Sequence, residues 1–257
     1  MPPELPAWAQ TYLYPPLVVV AIWVALTAGV LGLNRRGPRA ARMALLLSLP
    51  LLGVAHWQLG AARHDLSALG AYRAFAAGMV VWAWHELAFY SGLISGPWRR
   101  ACPPHARGVV RFGYALGTHL YHELACVAEL ALMLYLLGDA TNWVGPIIFC
   151  LSWALQHSAK LNVLLGVPWL QVDLFPAHLR YLGSYWARRT ASSFFLPSAS
   201  VCTLLSGLLW LSASSLSPNP VAVRLALIAS VITLGALEHW LLLLPARALA
   251  AAGQVAE

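Results

Sequence analysis

Three short runs bring a histidine and a carboxylate together where the surrounding chain is apolar: Trp84-His85-Glu86-Leu87-Ala88, Tyr121-His122-Glu123-Leu124-Ala125 and Leu237-Glu238-His239-Trp240. Imidazole and carboxylate are the usual ligands of non-haem iron, manganese and zinc, and helical bundles build dinuclear sites from inward-facing Glu and His on several helices. The Glu-x-x-His spacing of soluble di-iron bundles is absent. Adjacent His and Glu also diverge by about 100° on a helix, so both reach one ion only where their helix is central. A histidine inside an apolar helix can equally ligate the metal of a haem or chlorophyll-type macrocycle. The twelve tryptophans, with small residues such as Gly78, Gly92 and Gly117, would suit a flat aromatic ligand between helices. No haem-attachment motif is present.

The bland alternative is a hydrogen-bonded network that fixes helix register, and contacts of that kind between membrane helices average only about 0.6 kcal/mol. Each ionisable group at membrane depth costs roughly 2.5–3.5 kcal/mol on insertion scales. Three pairs at one depth are hard to justify by register alone, so the sequence argues for a functional site.

The polar set extends beyond the pairs. His119, His122 and Glu123 share a helix face, and Glu129, seven residues beyond His122, continues it as a stripe. Lys160 is the only lysine, and it falls inside an apolar segment with His157 and Asn162. Its expected partner is Glu86, Glu123 or Glu238, because a buried ion pair is tolerable where a lone charge is not. The competing reading is a lysine that snorkels to the headgroups. The candidate ligand-binding set is therefore His85, Glu86, His122, Glu123, Lys160, Asn162, Glu238 and His239, and the candidate metal ligands within it are His85, Glu86, His122, Glu123, Glu238 and His239. His56, His64 and His105 read as solvated interfacial or loop residues. The four cysteines, Cys102, Cys126, Cys150 and Cys202, show no ligand spacing. Three of them lie in apolar runs as small hydrophobes.

The elements that must position these groups are membrane helices. The chain has 257 residues, of which 60% are hydrophobic and 10% charged, with mean hydropathy +0.68. That composition excludes an ordinary soluble domain. About 20 mostly apolar residues cross the hydrocarbon. Seven segments approach that length, at about Tyr14–Leu33, Met43–Gly60, Ala71–Ile94, Phe112–Leu137, Trp143–Val167, Ser193–Leu211 and Val221–Leu244. The expected architecture is an all-α integral membrane bundle of about seven helices, one polytopic domain over residues 1–257. The amino-terminal residues lack the basic start of a secretory signal, so the first segment is kept as a span. Between the fifth and sixth segments, Leu179, Leu182 and Trp186 recur at helical spacing after Pro176, which predicts a short amphipathic helix on the membrane face.

The net charge of +7 comes largely from arginine clusters between spans, with no nucleic-acid motif beside them. Arg35, Arg36, Arg39 and Arg42, then Arg99, Arg100, Arg107 and Arg111, then Arg180, Arg188 and Arg189 occupy alternate loops. The positive-inside rule places the amino terminus outside, and Arg247 with the carboxyl terminus in the cytoplasm. It puts the three His–Glu pairs and Lys160 in the cytoplasmic half.

From Ala71 onward the motifs resemble a known family. They are Val81-Trp82-Ala83-Trp84-His85-Glu86, Gly96-Pro97-Trp98-Arg99-Arg100-Ala101-Cys102-Pro103, Tyr121-His122-Glu123-Leu124-Ala125, Ser158-Ala159-Lys160-Leu161-Asn162, Leu165-Gly166-Val167-Pro168, His178-Leu179-Arg180-Tyr181-Leu182 and Leu237-Glu238-His239-Trp240. Together they resemble the PuhE-type photosynthetic complex assembly proteins of purple bacteria. His119 and His157 lie outside that pattern and carry less weight. The resemblance implies a bacterial inner-membrane protein that assists assembly of the reaction centre and core antenna, with an influence on bacteriochlorophyll supply. The implied partners are membrane lipids, reaction-centre or core-antenna subunits, or pigment-synthesis enzymes. The implied ligand is bacteriochlorophyll or a precursor. A divalent metal ion is the alternative, in a membrane enzyme of non-haem iron type acting on a tetrapyrrole, quinone or lipid. A transporter or carrier ranks third, since seven spans do not divide into equal inverted repeats.

Overall fold

A computed structural model describes residues 6–244 apart from 171, 173 and 174, so Arg247 lies outside the described residues. Every extended element among them is helical: a π-helical turn Ala9–Leu13 leads into α1 (Tyr14–Arg35), followed by α2 (Pro38–Leu47), α3 (Leu49–Ala61), α4 (Ala68–Tyr90), α5 (Gly108–Gly117), α6 (Leu120–Leu137), α7 (Val144–Leu165), α8 (Phe195–Ser214) and α9 (Pro220–Leu241). Among the described residues, four helices are long and apolar enough to cross a membrane: Ala9–Arg35, α6, α8 and α9. The α2–α3 pair, bent by 43°, makes a fifth if it counts as one span. Helices α4 and α7 have 23 and 22 residues but carry the polar groups of interest, which lowers their hydropathy. Leu47, Val109, Tyr135, Leu204 and Leu211 are among many large apolar side chains left on the outer surface. That is the surface of a membrane protein, where lipid replaces water.

Several expected boundaries move for identifiable reasons. The segment Met43–Gly60 is two helices, with Pro50 in the first turn of α3, where a missing amide is tolerated. The segment Phe112–Leu137 is also two helices, broken at Thr118–His119. There the Thr118 hydroxyl donates to the Ala115 carbonyl at 2.7 Å, and the His122 amide leaves the helix pattern to donate to Ser95 O at 3.1 Å. In place of the amphipathic α-helix stands a nine-residue 3₁₀ helix, Ala177–Tyr185, which follows Pro176 and buries Leu179 and Tyr185.

Small residues let α4 and α7 approach closely, as packing between membrane helices requires. A Cβ on Gly78 would stand 2.6 Å from Gly145 O. Near their other ends Lys160 lies over the Phe89 ring, 5.3 Å from its centroid, so the two helices run parallel. Helix α9 runs the same way, with Gly235 against Leu155 and His239 against Ser158. Helix α6 is antiparallel to α4, since Glu129 meets His85 while His122 meets Phe89. The core gathers Phe75, Val81, Cys126, Met133, Ile148, Phe149 and Leu227 from α4, α6, α7 and α9.

The arginine-rich connections come together at one end of the bundle. Arg42 Nε donates to Ser91 O, Arg111 donates to the Leu164 and Tyr185 carbonyls, and Arg189 donates to Leu165 O. The opposite end is tied by Asn142, whose Nδ2 donates to the Ala62, Asp65 and Gly70 carbonyls, each at 3.1 Å. Arg224 donates to Leu66 O at that same end. The α4 N-cap is there too, with the Ser67 hydroxyl accepting from Gly70 N at 3.1 Å. Hydrogen bonds from Ser67 hold the Asp65 carboxyl below its ordinary range.

Candidate functional site

The polar stripe of α6 organises the site by sending its two carboxylates to different partners. Glu123, one turn into α6, faces α7. Its Oε2 accepts from Trp153 Nε1 at 2.7 Å and lies 2.8 Å from His157 Nε2, while Lys160 Nζ lies 3.4 Å from Oε1. His119 Nε2 approaches the same carboxylate at 3.8 Å. Of the three partners expected for Lys160, Glu123 is the one in contact. The register explains it: Trp153, His157 and Lys160 follow each other at four and three residues and form one stripe of α7.

Glu129 faces α3 and α4. His56 Nε2 lies 2.6 Å from Oε1 and His85 Nε2 lies 3.3 Å from Oε2. His56 is thus no solvated interfacial residue; its side chain is 15% exposed and joins α3 to the interior. Its Nδ1 faces the Leu52 carbonyl at 2.9 Å, four residues back. His157 repeats the arrangement, with Nδ1 at 2.9 Å from Trp153 O. Both rings therefore have an oxygen facing each nitrogen.

His85 and His122 differ in this respect. Both are buried, and neither Nδ1 has a hydrogen-bond partner among the described residues. The two rings stand 6.4 Å apart, enclosed by Trp82, Phe89 and Phe149. His122 Nε2 is 3.7 Å from Cys126 Sγ and 3.7 Å from Glu86 Oε1. Among the described residues, His85, His122 and Cys126 form a group whose potential ligand atoms all lie within 4.8 Å of one another.

The other candidate residues divide. Glu86 and Glu238 line a cavity of about 280 Å³ together with Trp23, Trp82, Tyr90 and Gln156, enclosed by α1, α4, α7 and α9. Glu86 Oε1 and Gln156 Oε1 are buried there without hydrogen-bond partners among the described residues. His239 is held between α9 and α7: its Nδ1 faces Gly235 O at 2.7 Å and its Nε2 faces Ser158 Oγ at 2.8 Å. Asn162 is fully buried, and its Nδ2 donates to Ser158 O and to Ser198 Oγ, which pins α7 to α8. A second cavity, of about 410 Å³, lies at the arginine-rich end between Asn34, Arg35, Tyr90, His178 and Arg180.

The sequence reading missed His56 and Cys126 and undervalued His157. His56 sits at the end of a short apolar run, where a solvated histidine is the commoner case. Cys126 follows His122 by four residues, a helical spacing that was there to be read.

The family described as "Protein of unknown function (DUF3623)" matches residues 9–251. A protein of Rhodobacter capsulatus titled "Uncharacterized 30.4 kDa protein in puhA 5'region" is 32% identical over 233 residues, which is 89% of this chain and 85% of that protein. No solved structure gives a significant match.

Proposed function

We propose, from the fact that the chain belongs to the DUF3623 family of PuhE-type proteins, that it assists assembly of the photosynthetic reaction centre and core antenna in the bacterial inner membrane. It does so by holding a ligand that governs bacteriochlorophyll supply. The relative's place beside puhA, a photosynthesis gene, supports the pathway. The observation that carries a ligand-holding role is the polar layer within the bundle: Glu123 with Lys160 and His157, Glu129 with His56 and His85, and two further carboxylates on the cavity among α1, α4, α7 and α9. A chain that needed only to span lipid would not carry these groups, given about 2.5–3.5 kcal/mol of insertion cost apiece.

In this reading the chain crosses seven times, as α1, α2 with α3, α4, α5 with α6, α7, α8 and α9. Its amino terminus is outside and its arginine-rich end is cytoplasmic. The cavity opens among helices that all begin on the outer side, and its Glu86 and Glu238 lie toward the cytoplasmic end. An apolar chamber with a few convergent polar groups is the usual form of a small-molecule site.

The experiment is deletion of the gene in a photosynthetic host, followed by absorption spectra of the membranes. Reaction-centre and core-antenna bands fall, wild-type protein restores them, and Glu123→Gln protein inserted at wild-type level does not. Unchanged bands in the deletion strain would overturn the proposal.

A further inference from the structure

We infer that His85, His122 and Cys126 form a binding site for a borderline-soft divalent ion of the Zn²⁺ class, with Glu129 and His56 as its outer support. The three residues are buried, two on α6 and one on α4, and one ligand atom from each lies within 4.8 Å of the others. His122 and Cys126 are four residues apart on one face of α6, and their Nε2 and Sγ are 3.7 Å apart. Zinc bonds of about 2.0–2.1 Å to nitrogen and about 2.3 Å to sulfur set tetrahedral ligand atoms about 3.3–3.7 Å from each other. The α6 pair already stands at bound spacing. Closing the remainder, from at most 4.8 Å, takes a movement of about 1.1–1.5 Å at His85, within the reach of a side-chain adjustment.

Charge and hydrogen bonding favour a ligand role over a simple network. Glu129 Oε2, 3.3 Å from His85 Nε2, is placed to accept from Nε2–H, the tautomer in which Nδ1 carries the lone pair. That Nδ1 has no partner among the described residues. The His85 side chain is 95% buried, where an unmet polar atom is costly. The chain His56–Glu129–His85 repeats the carboxylate–histidine arrangement that orients ligands from behind the metal.

Donor type selects the metal. Two imidazoles and a thiol suit zinc and disfavour magnesium and calcium, which take oxygen ligands. Three protein ligands leave a fourth position open, as in catalytic rather than structural zinc sites. Glu86 is the group beside it, 3.7 Å from His122 Nε2, and it also lines the cavity among α1, α4, α7 and α9. An ion here would thus be reached from that cavity past Glu86. The site stands apart from the assembly role, because its test reads metal binding by purified protein.

The test uses the full chain purified in detergent, stripped with a chelator and titrated with Co²⁺, then Zn²⁺. One Co²⁺ binds per chain with a thiolate-to-cobalt charge-transfer band, and Zn²⁺ displaces it. Cys126→Ser abolishes the band and weakens Zn²⁺ binding by about tenfold or more, whereas Cys202→Ser changes neither. Helical circular dichroism and monodisperse elution qualify each variant. In parallel, Zn²⁺ slows alkylation of Cys126 in the wild-type protein and leaves the rate at Cys202 unaltered, a readout that needs no variant to fold. Binding well below one ion per chain, a band that survives in Cys126→Ser, or equal alkylation of Cys126 with and without Zn²⁺ would each overturn the inference.

Discussion

His56 Nε2 and Glu129 Oε1 stand 2.6 Å apart, joining α3 to α6 through the interior of an apolar bundle. A pair so placed stabilises less by its attraction than it punishes its own disruption. Removing one partner strands the other, at a cost of roughly 3–5 kcal/mol.

Glu129→Leu and His56→Leu should therefore each lower the thermal midpoint of the purified protein, while the double variant recovers much of the loss. Circular dichroism against temperature in detergent checks it. Single variants that melt like wild type would show that the pair contributes nothing.

The ammonium of Lys160 is expected to be replaceable only in part. Lys160→Met leaves Glu123 with His157 and Trp153 and should impair accumulation of photosynthetic complexes. Lys160→Arg should be milder, because the charge persists and only its compact geometry is lost. Membrane absorption spectra at matched protein levels measure both, and a Lys160→Met strain with wild-type spectra would remove the pair from the functional account.

Reporter fusions after Gly37 and after Asn219 should report opposite sides of the membrane, the first cytoplasmic. Gly37 joins α1 to α2 near Arg35 and Arg36, and Asn219 caps α9 at the other end of the bundle. Reports from one side would defeat the seven-crossing arrangement.

Gly78→Leu should separate α4 from α7, since even a Cβ would come within 2.6 Å of Gly145 O. Overpacking of this kind costs about 1–3 kcal/mol or more. Reduced steady-state protein by immunoblot is the expected result, and Gly207→Leu, at a position with open space around it, serves as the tolerated control.

Much of the site was legible because charge in an apolar segment has few explanations. Depth along α7 sufficed to expect a carboxylate beside Lys160, and the helical spacing of His122, Glu123 and Glu129 identified one polar stripe. What could not be read was how that stripe divides between neighbours. Glu123 turns to α7 and Glu129 to α3 and α4, a partition set by helix packing, which linear spacing does not encode. For the same reason His239, equal to His122 as a motif, ends on Ser158. The break at Thr118–His119 escaped notice because neither residue is a strong helix breaker, and Ser95 supplies the outside acceptor from a distant part of the chain.

That break also moves charge. Aligned peptide dipoles give a helix N-terminus roughly half a positive elementary charge, felt within about the first turn. In a continuous helix from Gly108 that charge would sit at the arginine-rich end, twelve residues and about 18 Å from the start of α6. Restarting the helix at Leu120 adds a second helix start further in, beside Glu123, which lies in its first turn. The backbone thus acts as a second cation beside Lys160 for the Glu123 carboxylate, and it is one that no side-chain substitution can neutralise.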